Sequence, residues 1–143
     1  MTHPYLKFIT TALMALTSAT TTAAEALNYT IENTVNTFNI ENVVKTQVGY
    51  QYWFADKDFV DGRTLKMSVV APRQATHPPH THDNDEFFFV LEGKARFHLD
   101  GEEVVVGPYT SLYCPADSYH GISNAGDTEL KYLVIKKYPQ EKK

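Results

Sequence analysis

Four side chains in two short stretches carry the most distinctive chemistry of this sequence. The first stretch, HPPHTHDNDEFFFVLEG, runs from His77 to Gly93 and holds His80, His82 and Glu86; the second, CPADSYHGISN, holds His120. His80 and His82 are two residues apart, so on an extended chain both imidazoles point to one side. Pro78 and Pro79 favour that extended entry by fixing their own φ and disfavouring helix before them. Asp83-Asn84-Asp85 reads as a short turn or bulge that returns Glu86 toward the same face. A carboxylate buried beside neutral imidazoles is costly without a compensating cation, and a divalent metal supplies one. One hairpin and a strand separate Glu86 from His120, enough chain to fold His120 back over the first cluster.

Three neutral imidazoles and one carboxylate form a mixed nitrogen and oxygen set that suits Fe²⁺, Mn²⁺, Ni²⁺ or Cu²⁺. Zn²⁺ with all four ligands tends instead to a closed tetrahedral site. In six-coordinate geometry two positions stay open for water, substrate or dioxygen, and the metal acts as a Lewis acid or an oxygen-activating centre. A hydroxy-acid, enediol or catechol-like group would chelate across them. The bland alternative is that these are ordinary surface or hydrogen-bonded core histidines with no ion between them.

The elements that must position these groups are short strands. VGYQYWFA, RTLKMSVVAP, EFFFVLEG, KARFHL, EEVVV, YTSLYCP, SYHGIS and ELKYLVIKKY are β-rich runs broken by Gly, Pro and Asp, which indicates an all-β sandwich or barrel. DKDFVDG reads as an acidic turn between the first two. Asp100-Gly101 is a strong hairpin signal. Alternation before it puts Ala95, Phe97 and Leu99 on one face and Lys94, Arg96 and His98 on the other, so His98 is set aside as a ligand. Helix is expected only in the leader and near TFNIENVV.

EFFFV and LKYLVIKKY are apolar on both faces, which calls for a second covering layer. That layer is either the N-terminal segment or a second subunit, and a homodimer is expected. Tyr50, Tyr52, Lys66, Tyr113 and Tyr119 lie in strand runs, where wall or core is their ordinary role. Tyr52, Lys66 and Tyr119, with His77 before the two prolines, are the candidate substrate contacts.

Together the two histidine stretches resemble the paired motifs of the cupin family. The first motif is His-x-His, three or four residues, Glu, six residues, Gly; here HTH is followed by three residues, Glu86, six residues and Gly93. The second is Gly, five residues, Pro-x-Gly, two residues, His, three residues, Asn; here it matches at Pro115, His120 and Asn124. Asp117 replaces the motif glycine, and Asp tolerates the left-handed backbone of a tight turn. Seven residues rather than five separate Gly107 from Pro115, so the loop before it is expected to be remodelled. The resemblance covers residues 60 to 137. It implies an antiparallel jelly-roll barrel with a metal inside, held by His80, His82, Glu86 and His120.

Length and composition bound the rest. A chain of 143 residues fits one domain, and nine Tyr and eight Phe give it a real core. The net charge of −4 argues against nucleic acid and anionic membrane surfaces as partners. Residues 1–24 read as a signal peptide: a Lys7 head, an apolar stretch from Phe8 to Thr17, then small residues, with cleavage after Ala24 or Ala26. Secretion or a periplasmic location follows, and Asn28 opens a glycosylation sequon. Residues 25–59 then form an N-terminal segment with one or two strands, and residues 60–143 the barrel. The single cysteine, Cys114, excludes an intrachain disulfide and reads as a buried, inert thiol. No nucleophilic triad, phosphate loop or dinucleotide signature is present. The expected function is an exported mononuclear metalloenzyme acting on a small oxygenated organic molecule, dioxygenase chemistry ahead of lyase, isomerase or decarboxylase. The alternatives are a non-catalytic module for a sugar or small organic acid, and a barrel that the metal only stabilises.

Overall fold

The computed structural model describes residues 29–139. The leader and Asn28 lie outside these residues. A short helix α1 (Ile31–Thr34) and a 3₁₀ turn (Ile40–Asn42) precede nine strands: β1 (Val44–Thr46), β2 (Gly49–Val60), β3 (Arg63–Val70), β4 (Glu86–Glu92), β5 (Ala95–Leu99), β6 (Glu102–Val106), β7 (Ser111–Cys114), β8 (His120–Asn124) and β9 (Leu130–Lys137). All strand pairs are antiparallel. They form a six-stranded sheet in the order β1-β2-β3-β9-β4-β7 and a three-stranded sheet in the order β6-β5-β8. This is the all-β architecture expected from the strand pattern, in the jelly-roll form that the family resemblance implies.

Turn chemistry sets the corners. Asp100 and Gly101 both take positive φ, +48° and +92°, closing the β5–β6 hairpin as a primed turn requires. Asp61 and Gly62 do the same at the β2–β3 hairpin. The acidic turn expected over Asp56–Gly62 is therefore shorter than read. β2 runs on to Val60 through register shifts after Trp53 and Ala55, and only the Asp-Gly pair turns. The 59/60 division falls beside this turn, with β2 paired to β3 in one sheet. The helix looked for near TFNIENVV is the single 3₁₀ turn, and α1 carries no sequence signal stronger than its Thr30 cap.

The core between the sheets is built from Val70, Phe88, Val90, Ala95, Phe97, Leu112, Ile122, Leu130, Tyr132 and Val134. On β4 the alternation is clean: Glu86, Phe88 and Val90 are buried, and Phe87 points out. The outer face of the large sheet is covered only in part. The N-terminal segment lies over it through Phe38, whose ring is 5.0 Å from that of Tyr52, and through Val43 against the Tyr52, Met67 and Val69 cluster. Phe87, Tyr113 and Ile135, on the same face, stay 41%, 47% and 46% exposed.

Gly93 joins β4 to β5 with φ +86°, and a Cβ there would meet the Glu129 carbonyl oxygen at 2.5 Å. Both the left-handed backbone and the contact with main chain oppose any side chain. Gly93→Ala should therefore lower unfolding free energy by about 2 kcal/mol or more, read as a shift in the urea midpoint. A midpoint unchanged from wild type would show that this corner relaxes freely.

Candidate metal centre

His120 opens β8 and is fully buried. Its partner across the barrel end is the chain before β4: His80 and His120 form an isolated antiparallel bridge, with His80 N donating to His120 O at 2.9 Å and His120 N to His80 O at 3.0 Å. Asp117 N donates to His82 O at 2.8 Å, and Asp117 sits at φ +63°, the left-handed turn the motif position demands. These main-chain bonds fix His80 against β8 and His82 against the turn that precedes it. Glu86 then starts β4, inward-facing and 6% exposed.

The structure brings together the four residues read from the sequence. His80, His82 and His120 each offer a ring nitrogen, all within 4.8 Å of one another. His120 Nε2 is 3.2 Å from Glu86 Oε1, and His82 Nε2 is 3.7 Å from the same oxygen. His120 Nδ1 lies 3.0 Å from the Ser118 carbonyl oxygen. Donation to that carbonyl puts the proton on Nδ1 and leaves the Nε2 lone pair facing the cluster, the usual orientation of a ligating histidine. His80 Nδ1, His82 Nδ1 and His82 Nε2 are buried with no hydrogen-bond partner. Buried polar nitrogens are ordinarily satisfied, so an orphan nitrogen on each of His80 and His82 fits a bound cation. Burial, and then the neighbouring imidazoles, push the His80 pKa down. A lowered pKa leaves the ring neutral at neutral pH, as a ligand must be.

A cavity of about 100 Å³ opens on the His80 and Glu86 side of the cluster. Its walls include Lys66, Ser68, Thr76, His77 and Lys136. Lys136 Nζ is 3.8 Å from Glu86 Oε2. Burial pushes the pKa of both lysines down, opposed by the Glu86 charge. A larger groove of about 660 Å³ lies under the N-terminal segment, but it gathers no ligating cluster among the described residues.

Of the candidate substrate contacts, His77 and Lys66 line the small cavity. Tyr52 and Tyr119 do not. Tyr52 is on the outer face of the sheet, and its hydroxyl donates to Asn36 Oδ1 at 2.7 Å and to Thr37 O at 2.9 Å, tying down the N-terminal segment. Tyr119 is 52% exposed at the β8 entry. Tyr50 and Tyr113 share the outer face with Tyr52, Tyr113 reaching Asp85 at 3.2 Å. His98 bonds Glu103 at 3.0 Å, away from the cluster. Lys136, Gln51, Ser68 and Thr76 were missed as cavity residues; for Lys136, the alternation of LKYLVIKK relative to Tyr132 and Val134 was the available signal.

Cys114 is nearer the centre than its sequence context indicated. It pairs with Glu86 across β4–β7, and its sulfur lies within 4.8 Å of ligand atoms of Glu86 and His120. It is fully buried, and burial pushes its thiol pKa up to about 12. The thiolate is the reactive form, so the folded protein should resist a disulfide-exchange reagent at pH 8 that titrates the denatured chain fully. Rapid modification of the native protein would contradict this packing.

A small jelly-roll barrel with a histidine and carboxylate cluster at one end defines the class. The chain belongs to the cupin family: residues 66–136 match the family described as "Cupin domain". It is 31% identical over 67 residues to a 5-nitrosalicylic acid 1,2-dioxygenase of Bradyrhizobium sp, covering 43% of this chain and 32% of that protein. The chain thus spans about a third of that relative and 61% of a second curated one. Among solved structures, a Cupin 2 conserved barrel domain protein from Salinispora arenicola superposes with TM-score 0.60 at 18% identity, over 73% of this chain and 87% of that one. A predicted oxalate decarboxylase from Thermotoga maritima gives TM-score 0.57 at 21% identity, over 62% and 78%. At these identities the structural matches speak to the fold.

Proposed function

We propose that this chain is a mononuclear metal-dependent cupin enzyme acting on a small oxygenated organic molecule. The observation that carries the reading is the convergence of His80, His82, Glu86 and His120, with three buried imidazole nitrogens left without partners. Fe, Mn, Ni or Cu suits this donor set better than Zn. Bound there, the metal would supply Lewis acidity or activation of dioxygen. The protein's own part is to hold the His80 imidazole neutral, to fix His120 through Ser118, and to keep Phe88, Ile122 and Val134 against the cavity so that bulk water is limited. Lys66, His77 and Lys136 present polar atoms to a substrate. Dioxygenase chemistry is placed ahead of lyase, isomerase or decarboxylase chemistry, with support from the sequence relative that is a dioxygenase.

The same reading includes export to the periplasm or medium, supported by the composition of residues 1–24, and a homodimer, supported by the exposed Phe87, Tyr113 and Ile135 face. The test is metal content of the chain purified without added metal or a histidine tag, followed by oxygen uptake with small hydroxylated acids. Near-stoichiometric Fe, Mn, Ni or Cu, with substrate-dependent turnover, is expected. Absence of metal together with failure to take it up on reconstitution would refute the reading and favour a non-catalytic module for a sugar or small acid.

A further inference from the structure

The wall of the cavity opposite the histidines carries two ammonium groups. Lys66 lies opposite Val134 in the β3–β9 ladder, and Lys136 is two residues further along β9. Both side chains therefore share the inner face as diagonal neighbours. Lys136 faces Glu86. Lys66 Nζ sits 5.0 Å from the centre of the Trp53 ring, and no carboxylate lies within ion-pair distance of it among the described residues. With a divalent ion on the histidine cluster, two ammonium groups and two metal charges would outweigh the Glu86 carboxylate and that of Asp83, which also acts on Lys136. Such an excess in a partly buried site is stabilised by an anion.

The kind of anion follows from the walls. Phosphate sites are commonly built from free backbone N–H groups at helix ends or nests. Here the backbone of Arg63–Val70 and Leu130–Lys137 is committed to the β3–β9 ladder, leaving side-chain ammonium and the Ser68 and Thr76 hydroxyls. A space of about 100 Å³ holds a small acid. We propose that Lys66 and Lys136 form a clamp for the carboxylate of the substrate, which holds its oxygenated end toward the histidine cluster. This rests on the metal-enzyme reading for what the clamp serves, though not for the clamp itself.

Trp53, the only tryptophan, is a built-in reporter beside Lys66. The test is titration of the metal-loaded full chain with glycolate and benzoate, and with the neutral glycolamide and benzamide, followed by Trp53 fluorescence and calorimetry. Inorganic phosphate is a further probe, and metal content is measured on every sample. The carboxylates should bind at least about tenfold tighter than their amides. Lys66→Met should remove that preference, and Lys66→Arg should keep most of it, with metal content unchanged in both. Lys136→Met should weaken carboxylate binding in the same direction. Equal binding of acids and amides, binding of neither, a preference for phosphate, or wild-type carboxylate affinity in Lys66→Met would each overturn the clamp. Metal present with no carboxylate preference would sink the clamp alone. Carboxylate preference without metal would sink the metal reading alone.

Discussion

His120→Ala should leave a folded barrel that no longer retains a transition metal. The imidazole it removes is fully buried, holds its Nε2 3.2 Å from Glu86, and is oriented by Ser118. Loss of even an outer-shell partner of a ligand costs about 10- to 100-fold in metal affinity, and loss of a ligand itself should exceed about 100-fold on that scale. Glu86 would lose its 3.2 Å partner, keeping the 3.8 Å contact with Lys136, so some loss of stability is expected as well. Metal analysis after dialysis against a weak chelator separates the two effects, because His77→Ala, at the cavity but outside the ligand set, should hold its metal. Full occupancy in His120→Ala would remove this histidine from the ligand set.

The largest stability effect is expected at Asn124, which lies outside the histidine cluster. Its amide nitrogen donates to the carbonyls of Val70, Ala71 and Thr128 at 2.9, 3.1 and 2.7 Å, and its oxygen accepts from Gly126 N at 2.8 Å. The side chain is 3% exposed. It joins the end of β3 to the turn between β8 and β9, and so ties the two sheets together. Asn124→Ala would leave several buried backbone groups unpaired, each costing about 1–3 kcal/mol, for a total of about 3–5 kcal/mol. For a domain of this size that is a fall in Tm of about 10 °C or more. Asn124→Asp keeps the shape but loses the donors, and should fare no better. A Tm within a degree or two of wild type for both would mean that water replaces these bonds.

Much of the centre was legible because its geometry is local. His80 and His82 share a side by strand alternation, and Asp117 could take the left-handed turn its motif position needs. The fourth ligand was legible from the spacing of hairpin and strand and from the paired-motif resemblance rather than from local alternation, since the His80–His120 bridge joins residues 40 apart in sequence. The cavity wall was less legible. In β2 the more apolar set, Tyr50, Tyr52 and Phe54, is the natural choice for the interior. The structure instead turns that set outward under the N-terminal segment and turns Gln51 in, beside Lys66 and Ser68. A polar-lined cavity inverts the usual pattern of apolar inside, so strands that border it misreport their inner face. The N-terminal segment was one of two covering layers the sequence allowed, but its individual contacts were not legible, for a related reason. Its Asn36 and Phe38 contacts are to a strand face whose direction the sequence leaves open.

The centre is assembled from parts of unequal permanence. Glu86 and His120 belong to strands laced into sheets, whereas His80 and His82 ride on a connecting segment stitched to the barrel by the two His80–His120 bonds and the Asp117–His82 bond. Segments with few main-chain bonds open at a fraction of the cost of global unfolding. An ion bridging both parts acts as a rivet, and its residence time is governed by how often that seam parts rather than by the lifetime of the fold. Amide exchange at His80 and His120 should accordingly slow when metal is bound, while exchange in the β3–β9 ladder stays as it was.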